Sequence, residues 1–277
     1  MKKYLAVIIL IASVNAQAQK IALKKGQQIT IITKLDQDVD MTAMGMQMKN
    51  NSKTTGIFQH KDSNNENYIT SYTLSKVNLK MDMMGQENKY DSEKPEDKDS
   101  EMGKAISEKI GKEVTVLVNK NTGKASLDIK TGSPEKQPAA NPMAGLMDAF
   151  GSVTEEANVE TVFFILPAGK KAGDSWTDSS TSTKTMKDVR TYTIKSVEKG
   201  VADVTLLSIM SGTTNTEMQG MQMEISLSVK TEGQIVVDTV TSLVKKRSNT
   251  ANLTGNIEMM GQSIPIISKA VMTVDYQ

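Results

Sequence analysis

Gly45-Met46-Gln47-Met48 and Gly220-Met221-Gln222-Met223 carry the same four residues, and each is followed by a second shared string, Met83-Met84-Gly85-Gln86 in the first case and Met259-Met260-Gly261-Gln262 in the second. Gly45 to Gly85 is 40 residues and Gly220 to Gly261 is 41. Order and spacing preserved together mark an internal duplication, two related β-rich halves within one protein.

The sequence flanking these bends alternates with the period of a half-buried strand. Over residues 27–43, Ile29, Ile31, Leu35, Val39 and Met41 fall on one face, and Thr30, Lys34, Asp36, Asp38 and Asp40 on the other. The chain is predicted to turn near Met44-Gly45 and return from Met46 and Met48. After a polar turn at 61–65, a long strand over about 67–84 sets Val77, Leu79, Met81 and Met83 against Asn78, Lys80 and Asp82. Tyr68, Tyr72 and Leu74 are out of phase with that set, which predicts a bulge near Ser75. In the second half, Met221, Met223, Ile225, Leu227 and Val229 alternate with polar neighbours. Leu253, Ile257 and Met259 lead into the last bend, and Ile264, Ile266, Ala270, Met272 and Val274 leave it.

The two halves differ in length. Gly26 to Gly45 is 19 residues, whereas Gly173 to Gly220 is 47, room for one additional hairpin in the second half. Between the halves, an acidic stretch at 91–101 leads into a short helix with Met102, Ile106 and Ile110 on one stripe. Val114, Val116 and Val118 then form a hairpin with Ala125, Leu127 and Ile129. Pro134, Pro138 and Pro142 mark a linker. Met143, Leu146, Met147, Phe150 and Val153 share one face of a predicted amphipathic helix. The short apolar run Val162 to Leu166 fits helix or strand equally well.

Lys2 and Lys3, the apolar run Leu5 to Ala12 and the small-x-small site Ala16-Gln17-Ala18 have the form of a secretory signal peptide over residues 1–18. Its apolar run is too short for a bilayer-spanning helix. The protein is expected to be periplasmic or secreted. With Cys 0 there is neither a lipidation cysteine nor a disulfide, so stability rests on the core. Without Lys2 and Lys3, 31 basic residues face 32 acidic ones, a balance that argues against a nucleic-acid partner. Aromatic residues make up 4%, too few for the stacking platforms that bind single strands.

Catalytic and metal chemistries find little support. Gly173-Asp174-Ser175 resembles the nucleophile motif of GDSL-type esterases, but the single histidine, His60, lies upstream of it and no later histidine supplies a base. One histidine cannot build a zinc site, and beside Lys61 it is expected to be solvated. Asp36, Asp38 and Asp40 line one strand face without the turn geometry of a calcium loop. No catalytic residue, metal site or cofactor is predicted.

Methionine is the compositional outlier: of 19, twelve lie at or beside the four bends. Three readings stay open for them. Thioethers fill cores; flexible, polarizable side chains line adaptable pockets for apolar ligands; and Met-x-Met pairs at 46/48, 81/83 and 221/223 are suited to Cu(I). The candidate ligand-lining residues are Met46, Met48, Met81, Met83, Met221, Met223 and Met259.

Gly173-Asp174-Ser175-Trp176, Gly233-Gln234-Ile235-Val236-Val237-Asp238 and the Met259–Pro265 turn, taken with the signal peptide, resemble an uncharacterised family of secreted Bacteroidota proteins. That resemblance implies an extracytoplasmic β-rich domain and no particular activity. A Thr-Gly turn would be expected after Asp238, where this chain has Thr241-Ser242.

The expected fold is α+β, dominated by antiparallel strands, with two related halves forming a curved sheet or open barrel and one or two short packed helices. Residues 19–130 form the first half, 131–167 a linker and helix, and 168–277 the second half, with 19–277 one structural unit. The expected function is a non-enzymatic binding protein for lipid or another apolar or amphipathic ligand. The alternative is a structural or protein-interaction β module, and Cu(I) binding follows behind both.

Overall fold

The structure is a computed structural model that describes residues 20–41, 43, 45–128, 155–181, 185–218, 221–259 and 261–277. The signal peptide, the proline-rich linker and the amphipathic stretch 142–153 lie outside the described residues. Twelve strands form one open sheet: β1 (Gln28–Met41), β2 (Met46–Ser63), β3 (Asn67–Met83), β4 (Gln86–Asp91), β5 (Glu113–Asn119), β6 (Ala125–Leu127), β7 (Ser175–Thr181), β8 (Met186–Glu198), β9 (Val201–Met218), β10 (Met221–Asp238), β11 (Val244–Met259) and β12 (Gln262–Tyr276). Among the described residues, two short α-helices, α1 (Glu101–Ser107) and α2 (Glu155–Glu160), and a 3-10 turn at Pro95–Asp99 accompany it. No helix among the described residues is long and apolar enough to cross a membrane.

The strands run in the order β6-β5-β3-β2-β1-β12-β11-β10-β9-β8-β7, with β4 also on β3, and every pairing is antiparallel. Two four-strand meanders are visible in this order. β1 to β4 contain the first pair of glycine bends and β9 to β12 the second, and β1 joins β12 in register from Ile31↔Tyr276 to Asp40↔Ile267. The additional length of the second half is the hairpin β7–β8, as the 47-residue spacing predicts. The bulge expected near Ser75 is present: Thr55 pairs with Lys76 and Gly56 with Leu74, so Ser75 is the extra residue, its hydroxyl donating to the Thr55 carbonyl at 2.9 Å.

One face of the sheet is buried and the other meets water, which is why the strands alternate so strictly. On β1 the odd positions Ile29, Ile31, Val39 and Met41 are buried, and Lys34, Asp36 and Asp38 are exposed. Cross-strand partners share a face, so the inner face can be followed strand by strand through the register. At the end opposite the bends it is packed by the segment 155–166. Val159, Val162 and Phe163 enter the core of the first half with Ile31, Phe58, Tyr72, Val116 and Val118. Leu166 and Phe164 enter that of the second half with Ile194, Val204, Ile235 and Val237. The backbone fixes this crossing: Phe164 N–H donates to the Ser242 carbonyl at 2.9 Å, and Val244 N–H to the Val162 carbonyl at 2.9 Å. The run Val162 to Leu166 is thus neither a helix nor a full strand but a plug touching the β10–β11 turn through one bridge, Phe163↔Leu243.

That turn replaces the expected glycine with Ser242, which takes φ 61 and is fully buried. Asp238 holds it, its Oδ1 accepting from the N–H groups of Val240 and Thr241 and from the Thr241 hydroxyl, each at 3.0 Å. An aspartate that satisfies three donors stabilises a backbone conformation that β-carbons disfavour.

Candidate ligand-binding face

The strand ends that flank all four methionine-glycine bends lie at one end of the sheet. β1, β3, β9 and β11 run toward that end and β2, β4, β10 and β12 run away from it, because every neighbouring pair is antiparallel and each bend joins an outgoing strand to a returning one. Gly45, Gly85 and Gly261 have φ 68, 81 and 78. A backbone so turned favours glycine, and Met84 at φ 55 with Gly85 gives the two successive positive φ values of a tight hairpin turn.

Below the bends, the structure brings part of the predicted set together. Met41 pairs with Met46, Val39 with Met48, and Met48 in turn with Met83. Met46 and Met48 pack partly buried against Val39, Met41, Ile257, Ile264 and Ile266. Met81 is buried and Met83 half-buried. Positions 221, 223 and 259 continue the register that carries Ile225 and Ile257, so the backbone puts Met221, Met223 and Met259 on the same row system, and their side chains fall outside the description. Met84, 64% exposed, is an exception that turns outward at its bend. Met272, placed on the apolar face of the last strand by the sequence, and Met186 and Met210, which the sequence reading did not single out, share the inner face by register: Met186 opposite Gly212, Met210 opposite Val229 and Met272 opposite Leu35. Their strand alternation was the signal that could have identified them.

The apolar cluster at the bend end differs from the two at the plug end in one respect. Among the described residues it consists of strand residues only, from β1, β2, β10, β11 and β12, whereas the other two are each capped by the segment 155–166.

A polar band separates these regions. One register row reads Arg190, Ser208, Thr231, Ala251, Ala270, Gln37 and Asn50 across seven strands. Asp188, one position nearer the bends on that face of β8, is buried and accepts from the Ser208 hydroxyl at 2.6 Å and from Arg190 Nε at 2.6 Å. Burial raises the Tyr192 phenol, and the neighbouring Arg190 opposes that rise. Tyr276 behaves alike: burial raises it, and Arg247 beside it pulls the other way.

The remaining candidates resolve differently. His60 is buried, not solvated: Tyr68 meets it edge-on at 4.9 Å and its Nε2 lies 2.9 Å from the Asp62 carbonyl. The position is the last inner-facing one of β2, so alternation outweighs the polar neighbours that suggested a loop. Ser175 sits on the edge strand β7 with its hydroxyl 2.7 Å from that of Thr193. Asp36, Asp38 and Asp40 face water on β1. Asp38 is flanked in register by Lys49 and Lys269, and no group of three metal-ligating side chains occurs among the described residues. On the same outer face a groove of about 600 Å³ is lined by Lys34, Lys53, Asn78 and Asp91, with Lys76 and Glu93 paired at 2.5 Å. Besides that pair, Asn78 donates to the Asp91 carboxylate at 3.0 Å.

Comparison with curated proteins returns no match. Among solved structures, the chain is similar to lipovitellin, in a structure of its lipid–protein interactions, at 11% identity and a TM-score of 0.49, over 92% of this chain and 25% of that one. It therefore spans about a quarter of the length of that protein. It is also similar to an outer membrane channel from Pseudomonas putida F1, at 8% identity and a TM-score of 0.22, over 93% of this chain and 97% of that one. Residues 65–244, well over half of the sequence, match the profile of a family of unknown function, DUF6263, and the chain belongs to that family.

Proposed function

We propose that this is an extracytoplasmic, non-enzymatic binding protein whose inner sheet face holds an apolar or amphipathic ligand near the methionine bends. The observation that carries the reading is the convergence of all four bends on one end of the sheet, where the apolar face carries no capping segment among the described residues. An apolar surface shaped by thioethers adapts to a ligand without fixed polar anchors, because Met has three rotatable bonds and a polarizable sulfur. At the other end, the plug 155–166 fills both cores, so the apolar part of the ligand is confined to the bend end. The methionines 46, 48, 81 and 83, with positions 221, 223 and 259, are its lining.

Two measurements test this. Organic extracts of the natively purified protein are expected to contain a bound lipid by mass spectrometry. A fluorescent fatty-acid probe is expected to bind saturably at one or a few sites, with affinity weakened when Met48 and Met83 are both replaced by Ser. Absence of both lipid and probe binding overturns the reading and leaves the interaction-module alternative.

A further inference from the structure

Four charged residues lie at inner-face register positions of the second half, and three of them are accounted for. Arg190 is held by the buried Asp188 through Nε and Nη2, both at 2.6 Å, and Asp178 pairs in register with Arg190 on the edge strand. The fourth is Arg247 on β11, between Ile235 and Val274. It makes no ion pair among the described residues, and its Nε is buried without a hydrogen-bond partner. Beside it, Asn249, the next inner-facing position of β11, has a buried Oδ1 without a partner, and the buried Tyr276 phenol lies against Arg247 and Thr161. Asn249 lies over the bare backbone of Gly233, where a β-carbon would come within 2.2 Å of that Oδ1.

Buried polar atoms are almost always paired in folded proteins, and a donor on a charged group is the costliest kind to leave unanswered. The unanswered Nε–H of Arg247, a charged donor at the boundary between plug and polar band, therefore identifies a place built for an acceptor that comes from outside the chain. The lone positive charge selects an anion. Toward the bends, past Asn249 and the flexible Met272 opposite it, Ala251 and Ala270 face each other in the polar row and leave the track along β11 and β12 narrow only at Met272. Arg247 to Leu253 is six residues of strand, about 20 Å, which brings a chain anchored at Arg247 to the row of Met48 and Met83.

We infer that the ligand is an anionic amphiphile, its carboxylate or phosphate held by Arg247 with the Tyr276 hydroxyl beside it, and its hydrocarbon chain laid along β11 and β12 toward the methionine bends. This rests on the apolar-ligand reading above and adds the head-group charge. A guanidinium–anion contact in such surroundings is worth about ten- to a hundred-fold in affinity.

The test compares oleate with oleyl alcohol by calorimetric titration of the mature chain, Arg247→Gln and Arg247→Lys. The wild-type protein is expected to prefer oleate by about ten-fold or more. Arg247→Gln is expected to lose that preference without a change in oleyl alcohol affinity, and Arg247→Lys to retain part of it. The unliganded melting temperature of Arg247→Gln should hold or rise, since removing an unpaired cation relieves a cost; a residue with a purely structural role would lower it. Equal affinity of the wild type for both ligands, or an unchanged preference in Arg247→Gln, overturns the anionic head group and leaves the apolar reading standing. If neither ligand binds, both readings fall. Inorganic phosphate that displaces oleate and binds through Arg247 by itself would show a small-anion site and overturn the amphiphile.

Discussion

Replacing Phe163 by alanine tests the plug most directly. Its side chain is 5% exposed and meets Phe58 edge-on at 5.8 Å with the rings at 78°. Its Cβ also lies near enough to Gly123 that a β-carbon there would approach to 3.2 Å. Phe→Ala in so filled a site removes the transfer energy of the ring and leaves a cavity that the sheet, fixed by its ladders, closes only in part, a loss of about 3–5 kcal/mol. In a chain of this length each kcal/mol shifts the melting temperature by about 2–4 °C, so a fall of roughly 6–20 °C is expected. The assay is thermal unfolding followed by far-ultraviolet circular dichroism, with the fluorescence of the single Trp176 recorded in parallel. Because the plug enters both cores and Trp176 belongs to the second, the two signals should move together. A fall below about 2 °C, or a Trp176 transition that stays put while the circular dichroism shifts, would refute the claim that 155–166 ties the two halves into one cooperative unit.

Three more outcomes are expected. Gly56 lies under the Tyr72 ring, where a β-carbon would come within 2.5 Å of it, so Gly56→Ala should cost about 1–3 kcal/mol in urea unfolding and recover part of that loss in combination with Tyr72→Leu; additive losses would deny the contact. Burial tends to raise the Asp238 carboxyl, but the Thr241 and Val240 donors and Lys245 bring it below its ordinary value. Its contribution is therefore complete above the unfolded value of about 3.9 and disappears as the pH falls through the folded value, so the stability gap between wild type and Asp238→Asn should close in acid, and a gap independent of pH sinks this account. Cu(I) under reducing conditions should leave the melting temperature unchanged, and a stabilisation lost in Met48→Leu would instead reinstate the metal reading.

Much of the architecture could be read from the chain because it is encoded locally. Alternation of period two is a property of successive residues, so the inner faces of β1, β3 and β12, the Ser75 bulge and the extra hairpin β7–β8 followed from spacing alone. His60 was misread because its immediate neighbours are polar, and its burial depends on Tyr68 on another strand. Ser242 shows the same limit, since Asp238, four residues away, holds a conformation that the residue type alone disfavours.

The sequence by itself determined that there are two copies of a bend pattern, that methionines cluster around it and that antiparallel strands connect it. Tertiary structure decided that β1 and β12 join the copies, that all four bends point the same way, that residues 155–166 close the opposite end, and that Arg247 is left without an anion among the described residues. The division has a physical cause. Periodicity and turn chemistry are settled within a few residues, whereas strand order and the pairing of a buried charge depend on groups brought together from distant parts of the chain, which no local pattern records.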